Sequence, residues 1–564
     1  MRQKSIMTSL SFLKGRQRCL SSPPEANGLI STDIKSMQET ARVFDSVVYI
    51  PAFIFLFFLG IYILTSSGSI HGTIDGTVRY AVTKSIVDSN SVSIPEDLGR
   101  DNGIIGSNGK YYSWYGIGQS ALMIPLYVIS KALPNPEFVV SLFNPLISAI
   151  TCVVLFLFCV RLGYSNRTSV VVTLMYGLGT IAWPQSKGPF EHPLETILIL
   201  LSIFLIHLHV RNKSYLKLVM SAVFLGIAFI TRAPSLLTLP PILLYLLFSR
   251  IPPHRRRTFS RKKTLMSFFK EAIIYGMTLV PFGVFYLYYN YVRFGDVFES
   301  GYSKIFNQWG VEPFGTPLHI GLYGLMLSPG KGFFLYSPIA VLFIFAIRNF
   351  YKKNKGLTIA FLTLITASVL FHSKYTVWHG DWAWGPRYLT VLTPFLMIPL
   401  GELFENGSIR KSLCIKVAVM LLFTVSILVQ LSAVTVNLNK YFIKNQIPAR
   451  NIPNHIYFEP RYLPIKEQFK FVVEIAKKIR YYTPPEIRPD TNDTKAINEQ
   501  ITINVPDFWY VYYIYAGAPK GQLAGMVILL LVLTAISFVM ILEKGLGDGE
   551  QYIPITKSQS ITNY

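Results

Sequence analysis

The sequence predicts an all-α polytopic membrane protein, a bundle of about 12 transmembrane helices whose external loops form the functional site. Three observations carry this. Of 564 residues, 51% are hydrophobic and only 15% charged, where a soluble chain carries nearer a quarter charged. Apolar windows of the roughly 20 residues that a span requires recur along most of the chain. The lysines and arginines come in short bursts between those windows, on alternate connections, as orientation is encoded in membrane proteins.

The apolar runs place helices near 47–65, 139–160, 168–184, 193–210, 216–231, 234–249, 271–291, 333–349, 356–372, 387–403, 412–434 and 521–542. The run at 356–372 is barely long enough at about 1.5 Å per residue. Basic residues fill the N-terminal tail and alternate short loops: Arg161 and Arg167; Arg211, Lys213 and Lys217; His254 to Lys263; Lys352, Lys353 and Lys355; Arg410, Lys411 and Lys416. All fall on one side if both termini are cytoplasmic. The organisation expected is a cytoplasmic tail at 1–46, a transmembrane catalytic core at 47–434, an external segment at 435–520, a last span at 521–542 and a cytoplasmic tail at 543–564. Within the core the external loops are 66–138, 185–192, 292–332 and 373–386. Residues 1–46 are polar and basic, so no cleavable signal is read there. A cell membrane, plasma or inner, is the expected location, with the site on the external face.

The net charge of +23 does not point to nucleic acid, because the basic residues are not gathered on one soluble face. Cys19, Cys152, Cys159 and Cys414 have no metal-ligand spacing and imply no disulfide framework. All seven tryptophans fall on the external side or at an external helix end, where an aromatic belt would populate both interfaces. Their flat faces suit sugar rings or lipid chains. Between Lys466 and Arg480, Phe469, Val472, Val473, Ala476 and Ile479 share one helical face. That pattern fits a helix lying in the membrane interface, or an amphipathic helix packed on the protein's own loop.

Four external connections hold the polar residues that could do chemistry. The first contains Asp75-Gly-Thr-Val-Arg79-Tyr80. A partly desolvated carboxylate there can act as general base; alternatively Asp75 caps the helix that follows. The same loop continues through Tyr111-Tyr112-Ser-Trp114-Tyr-Gly-Ile-Gly118 into an interfacial helix over 119–132. The second places Glu191 and His192 in a short loop, able to supply a second acid, a metal ligand or a phosphate contact, or merely a solvated turn. One carboxylate and one imidazole are too few to argue a metal site. The third holds Arg293-Phe-Gly-Asp296 and then Gly330-Lys331-Gly332, whose backbone N–H groups and ammonium suit an anion such as a lipid phosphate. It lacks the spacing of a nucleotide P-loop. The fourth is Trp378-His379-Gly-Asp381-Trp382-Ala-Trp384-Gly-Pro-Arg387-Tyr388. Arg387 opens an apolar helix, where an unpaired charge is costly. It should meet a phosphate, or else pair with Asp381 or Glu191.

Taken together these segments resemble the polyprenyl-phosphate-sugar-dependent glycosyltransferases of the GT-C class, and are similar to the dolichyl-phosphate-mannose-protein mannosyltransferases. The resemblance implies a GT-C-like bundle and an inverting transfer of one sugar from a lipid-phosphate carrier to an acceptor hydroxyl of a protein, lipid or glycan. It implies that Asp75 is the base, with Glu191 as a second acidic residue. It makes Arg387 and Lys331 the first candidates for the donor phosphate, with Arg293 and Arg232 next. His192, His379, Asp381, Trp382, Trp384 and Tyr112 are the remaining expected substrate contacts. No cofactor is implied with certainty, and a divalent metal is left open. One departure stands out: the mannosyltransferases show an adjacent acidic pair in the first loop, whereas Gly76 follows Asp75. The alternatives are a transporter or flippase of lipid-linked sugars, or a non-catalytic binder of them. Spans almost free of charge and the lack of an internal repeat count against transport.

Overall fold

A computed structural model describes residues 48–250, 261–405, 412–447, 452–479, 503–515 and 517–546. The tail expected at 1–46 and the residues beyond 546 lie outside the described residues, as does most of the basic run at 254–263. The chain divides after Pro51; apart from the first two residues of the first helix, everything discussed below lies in the unit from Ala52 onward.

The fold is helical almost throughout. The helices used here are α1 (Ile50–Leu64), α2 (Ile74–Ser89), α3 (Gly118–Ser130), α4 (Phe143–Leu162), α5 (Asn166–Gly179), α6 (His192–Asn212), α7 (Tyr215–Thr231), α8 (Leu239–Ser249), α9 (Arg261–Phe294), α10 (Lys355–Lys374), α11 (Leu413–Thr435), α12 (Pro464–Lys478) and α13 (Lys520–Leu546). Seven helical stretches among the described residues are long and apolar enough to cross a membrane, and four shorter apolar helices, α1 among them, accompany them. The chain is a multi-pass membrane protein.

Burial separates two kinds of span. α4 and the middle of α6 are apolar and mostly buried, so they form the core of the bundle. α6 packs between α4 and α7, α7 packs on α9, and α8 packs on α10. By contrast α9, α11 and α13 turn rows of large apolar side chains outward, including Met277, Val280 and Val284, Leu421 and Val425, and Ile528, Leu529 and Val532. In water such rows would be a liability; against lipid tails they cost nothing.

Several of the expected single spans are broken: the run at 168–184 stops at Gly179 and resumes at Ala182, that at 234–249 opens with a 3₁₀ stretch over Ala233–Thr238, and two more are divided further. Residues 333–353 run as a helical turn over Phe333–Tyr336, a 3₁₀ stretch over Pro338–Leu342, and a helix over Phe343–Lys353. Pro338 has no N–H to continue the ladder, and the residue before a proline is pushed out of the helical region. Residues 387–405 alternate 3₁₀ and α turns around Pro394 and Pro399. The run at 356–372, expected to be barely long enough, lies in an unbroken helix of 20 residues, α10.

At one end of the bundle the loops form a small structured cap. Strands β1 (Ser93–Ile94), β2 (Ile104–Ile105) and β3 (Tyr111–Tyr112) pair antiparallel with β3 in the centre. The helix expected after Gly118 is α3. Lys187 ties this end to the later segment: its Nζ donates to the Val434 carbonyl at 2.6 Å and meets Asp507 Oδ2 at 2.7 Å.

Candidate active site

The site is assembled from the start of α2, the loop before α6, the end of α7 and the turn at Arg387. Thr73, not Asp75, caps α2: its hydroxyl accepts from the Gly76 N–H at 3.1 Å. The capping role weighed for Asp75 is therefore filled by its neighbour. Asp75 sits in the first helical turn, where the dipole favours a negative charge, and its carboxylate turns inward. Gly76 explains the missing acidic pair. A Cβ there would lie 2.3 Å from Pro189 Cγ and 2.5 Å from the Ile70 carbonyl, so no side chain fits.

Both oxygens of Asp75 are engaged. Tyr115 donates its hydroxyl to Oδ1 at 2.6 Å, and an Arg387 terminal nitrogen donates to Oδ2 at 2.9 Å. Arg387 thus pairs with neither Asp381 nor Glu191, its two expected acidic partners. One helical turn beyond Asp75, Arg79 lies 3.8 Å from Oδ2 and reaches Glu191 Oε2 at 2.6 Å. Glu191 also faces Arg232 at 3.5 Å, and Arg232 in turn pairs with Glu195 at 3.2 Å. Ser235 completes the far end by donating to Glu195 Oε1. Three guanidinium groups and three carboxylates therefore form one buried chain. Burial alone would raise the Glu191 carboxyl, but Arg79, Arg232 and Arg387 outweigh it and hold it below the usual glutamate range. Aromatic faces line the chain, with Arg79 over Tyr115, Arg387 over Phe190 and Arg232 over Tyr388.

The turn carrying Arg387 is sharp. Gly380, Asp381 and Gly385 all adopt left-handed backbone conformations. Lys331 stitches this turn to the third loop by donating to the carbonyls of Asp381 and Ala383 at 2.8 and 2.6 Å. Burial and the nearby Arg387 lower the Lys331 ammonium to about 7, against the pull of Asp381. His379 stacks on Tyr457 and shares a hydrogen bond with its hydroxyl at 2.9 Å; burial, with Lys331 and Arg387 nearby, keeps its imidazole neutral. Trp382 stacks on Phe442 and Trp384 packs edge-on to Tyr336.

Several donors here have no acceptor among the described residues: Nε of Arg387, Nε of Arg79, and the indole nitrogens of Trp382 and Trp384; His192, tilted against the Tyr388 ring, has neither ring nitrogen engaged. Native proteins leave few buried polar groups without a partner, and these cluster around Asp75 and the Arg387 turn.

Not every expected residue is brought here. Tyr112 belongs to the small core of the cap with Ile104, Phe294, Ile305 and Phe306, and its hydroxyl accepts from Asn108. The tyrosine on the carboxylate is Tyr115, three residues further on. Arg293 is buried but committed: it donates to the carbonyls of Ser113 and Tyr289 and to Asn290 Oδ1, and lies over the Tyr289 ring. Arg79, Glu195 and Tyr115 were not singled out as site residues from the sequence. The one-turn spacings Asp75 to Arg79 and Glu191 to Glu195 are the signal that could have found two of them. The spans are accordingly less free of charge than their composition implied. Among the described residues no group of three or more His, Cys, Asp or Glu side chains could hold a metal, and Asp75 and Glu191 both face arginines.

Comparison with known proteins agrees with the resemblance read from the loops. Residues 126–275 match the family model of the dolichyl-phosphate-mannose-protein mannosyltransferases, a stretch that contains Glu191, His192, Glu195 and Arg232. No curated protein matches the chain. Similar solved structures include ArnT from Cupriavidus metallidurans bound to undecaprenyl phosphate, at 13% identity and a TM-score of 0.44, over 89% of this chain and 78% of that one. Another is the archaeal oligosaccharyltransferase AglB from Archaeoglobus fulgidus, in complex with an inhibitory peptide and a dolichol-phosphate, at 11% identity and a TM-score of 0.43. That match takes in 73% of this chain and 61% of AglB. The chain thus spans about three-fifths of the oligosaccharyltransferase's length.

Proposed function

We propose that this chain is a membrane glycosyltransferase that moves one sugar, with inversion, from a polyprenyl-phosphate carrier to an acceptor hydroxyl on the external face. The observation that carries the reading is the contact between Asp75 and Arg387, residues 312 positions apart whose side chains meet at 2.9 Å in a buried cluster. A base and a phosphate-binding cation are the two groups that the reaction needs, on opposite faces of the anomeric carbon, so the Asp75–Arg387 pair opens as donor and acceptor enter between them.

On this reading the donor phosphate draws Arg387 away from Asp75 Oδ2, and the acceptor hydroxyl donates its hydrogen bond to that oxygen while Tyr115 stays on Oδ1. Its oxygen attacks the anomeric carbon as Asp75 takes the proton. The bond from that carbon to the phosphate oxygen breaks on the opposite face, and the carrier leaves as its phosphate anion. No general acid is needed, because the leaving group is already an anion. The rate then rests on orientation and on cations aimed at the developing charge. Arg387, with Nε unengaged, and Lys331, whose contacts are carbonyls rather than carboxylates, are the phosphate contacts. Glu191 is held between Arg79 and Arg232 and serves as their counter-ion rather than as a second base. Membrane insertion with both termini cytoplasmic places the loops outside, as the lysine and arginine pattern requires.

The test is sugar transfer from a polyprenyl-phosphate donor in membranes carrying Asp75→Asn and, separately, Arg387→Ala. Asp75→Asn should lose transfer by about 10²-fold or more while keeping donor binding; Arg387→Ala should lose donor binding. Wild-type transfer by Asp75→Asn removes the assigned base. Donor binding with no transfer by any form of the protein would favour a carrier or a non-catalytic binder.

A further inference from the structure

α12 carries two apolar faces, and only one is used by the protein. Its inner face, Phe471 and Ile475 with Pro464, Glu467 and Gln468, is buried against a neighbouring part of the chain that includes α11. Lys440 and Lys444 reach across from the preceding helical turn to Glu474 and Glu467, at 3.5 and 2.9 Å, and hold the helix in that roll. With the inner face fixed, the apolar set Phe469, Val473, Ala476 and Ile479 points away from the protein; Val473 is 53% exposed and Phe469 38%. On a helical projection Lys466, Lys470 and Lys477 fall together along one edge of this outer face, and Lys466 and Lys477 stand exposed.

A soluble helix with one face packed would show polar residues on the other. Here the outer face is apolar and edged with lysines, the pattern of a helix seated among lipid headgroups. α11, on which α12 packs, itself exposes Leu428 and Leu431, so α12 lies against a span that has a lipid-facing side of its own. We propose that α12 binds the external surface of the bilayer. Phe469, Val473 and Ala476 lie at the acyl boundary, and the lysine edge contacts anionic phospholipid headgroups. The packed side answers one of the two readings open from the sequence, and the proposal takes up the other on the opposite side of the same helix. Pro464, the first residue of α12, lines a cavity with Lys331, Trp384 and Tyr457. The proposal stands independently of the activity.

The test uses the full chain with Cys19 and Cys414 changed to serine, carrying Val473→Cys labelled with an environment-sensitive fluorophore. Asp97→Cys, on an exposed polar helix of the cap, is the comparison. In nanodiscs of phosphatidylcholine with phosphatidylglycerol, the label at 473 should lose emission to a lipid-borne nitroxide and resist aqueous iodide; the label at 97 should do the reverse. Replacing Lys466 and Lys477 by glutamine should reduce the nitroxide quenching at 473 in discs containing phosphatidylglycerol and leave it unchanged in phosphatidylcholine alone. Iodide quenching at 473 equal to that at 97 overturns the bilayer contact. Shielding from both quenchers overturns it too and points to a protein partner. Equal effects of the lysine changes in both lipids overturn the anionic preference.

Discussion

If Lys331 contacts the donor phosphate as proposed, donor binding is sensitive to pH in a defined direction. Its ammonium is buried beside Arg387, and both influences disfavour the charged form, lowering it to about 7. Its hydrogen bonds go to the carbonyls of Asp381 and Ala383, which a neutral amine still satisfies, so deprotonation leaves the turn in place. Below about pH 7 the site therefore holds an extra cation; above it the cation is lost. The protonated fraction is ~0.9 at pH 6 and ~0.03 at pH 8.5, so a phosphodiester that needs the cation should bind about 30-fold more weakly at the higher pH, or ~2 kcal/mol. A diester is the proper probe, since its single charge does not change over this range. Binding of a short-chain prenyl phosphodiester to the purified protein, measured by calorimetry at the two pH values, reads the effect. Lys331→Arg should bind with little pH dependence, and Lys331→Gln weakly and with little pH dependence. Wild-type affinity that is flat or rises with pH refutes the assignment of Lys331 to the phosphate.

Three further outcomes follow from the same geometry. Glu191→Gln leaves Arg79 and Arg232 without the charge between them, and should cost about 3 kcal/mol of stability, seen as a lower Tm in detergent; an unchanged Tm would contradict the counter-ion role. Gly380→Ala puts a Cβ 2.9 Å from Arg387 Cγ at a φ of +64°, and the left-handed backbone adds about 1 kcal/mol. It should weaken donor binding by shifting the guanidinium, and wild-type binding would show that the position of Arg387 is not set by this turn. Thr73→Ala removes the α2 cap at about 1 kcal/mol; it should speed amide exchange over residues 74–77 and lower kcat, and protection equal to wild type would dismiss the cap.

The bundle was legible because a membrane leaves few choices: apolar runs of sufficient length must be helices. The breaks at 333–353 and 387–405 were less so, because hydropathy does not register a proline's missing N–H. Within the site, Asp75, Arg387 and Lys331 stood out as charges bordering apolar runs, where any charge demands a reason. What the sequence did not reveal was pairing. Arg387 meets Asp75 rather than its near neighbours because the left-handed turn at Gly380 and Asp381 folds the chain back, and no linear spacing records that. Tyr112 and Tyr115 look alike in sequence; the pairing of β3 buries one in the cap, and the chain beyond the strand carries the other to the carboxylate. Arg293 resembled an anion ligand by position, yet its guanidinium is consumed by carbonyls of its own surroundings.

The double engagement of Asp75 bears on side reactions. An activated sugar donor in an aqueous leaflet risks being spent on water, and a free carboxylate beside it would hasten that loss. With Oδ1 on Tyr115 and Oδ2 on Arg387, water must compete with two protein donors before it can be deprotonated, whereas a bound acceptor arrives with its own binding energy to displace one of them. On the proposed function, Tyr115→Phe should therefore raise donor hydrolysis relative to transfer. A hydrolysis-to-transfer ratio equal to that of the wild type would show that the phenol guards nothing.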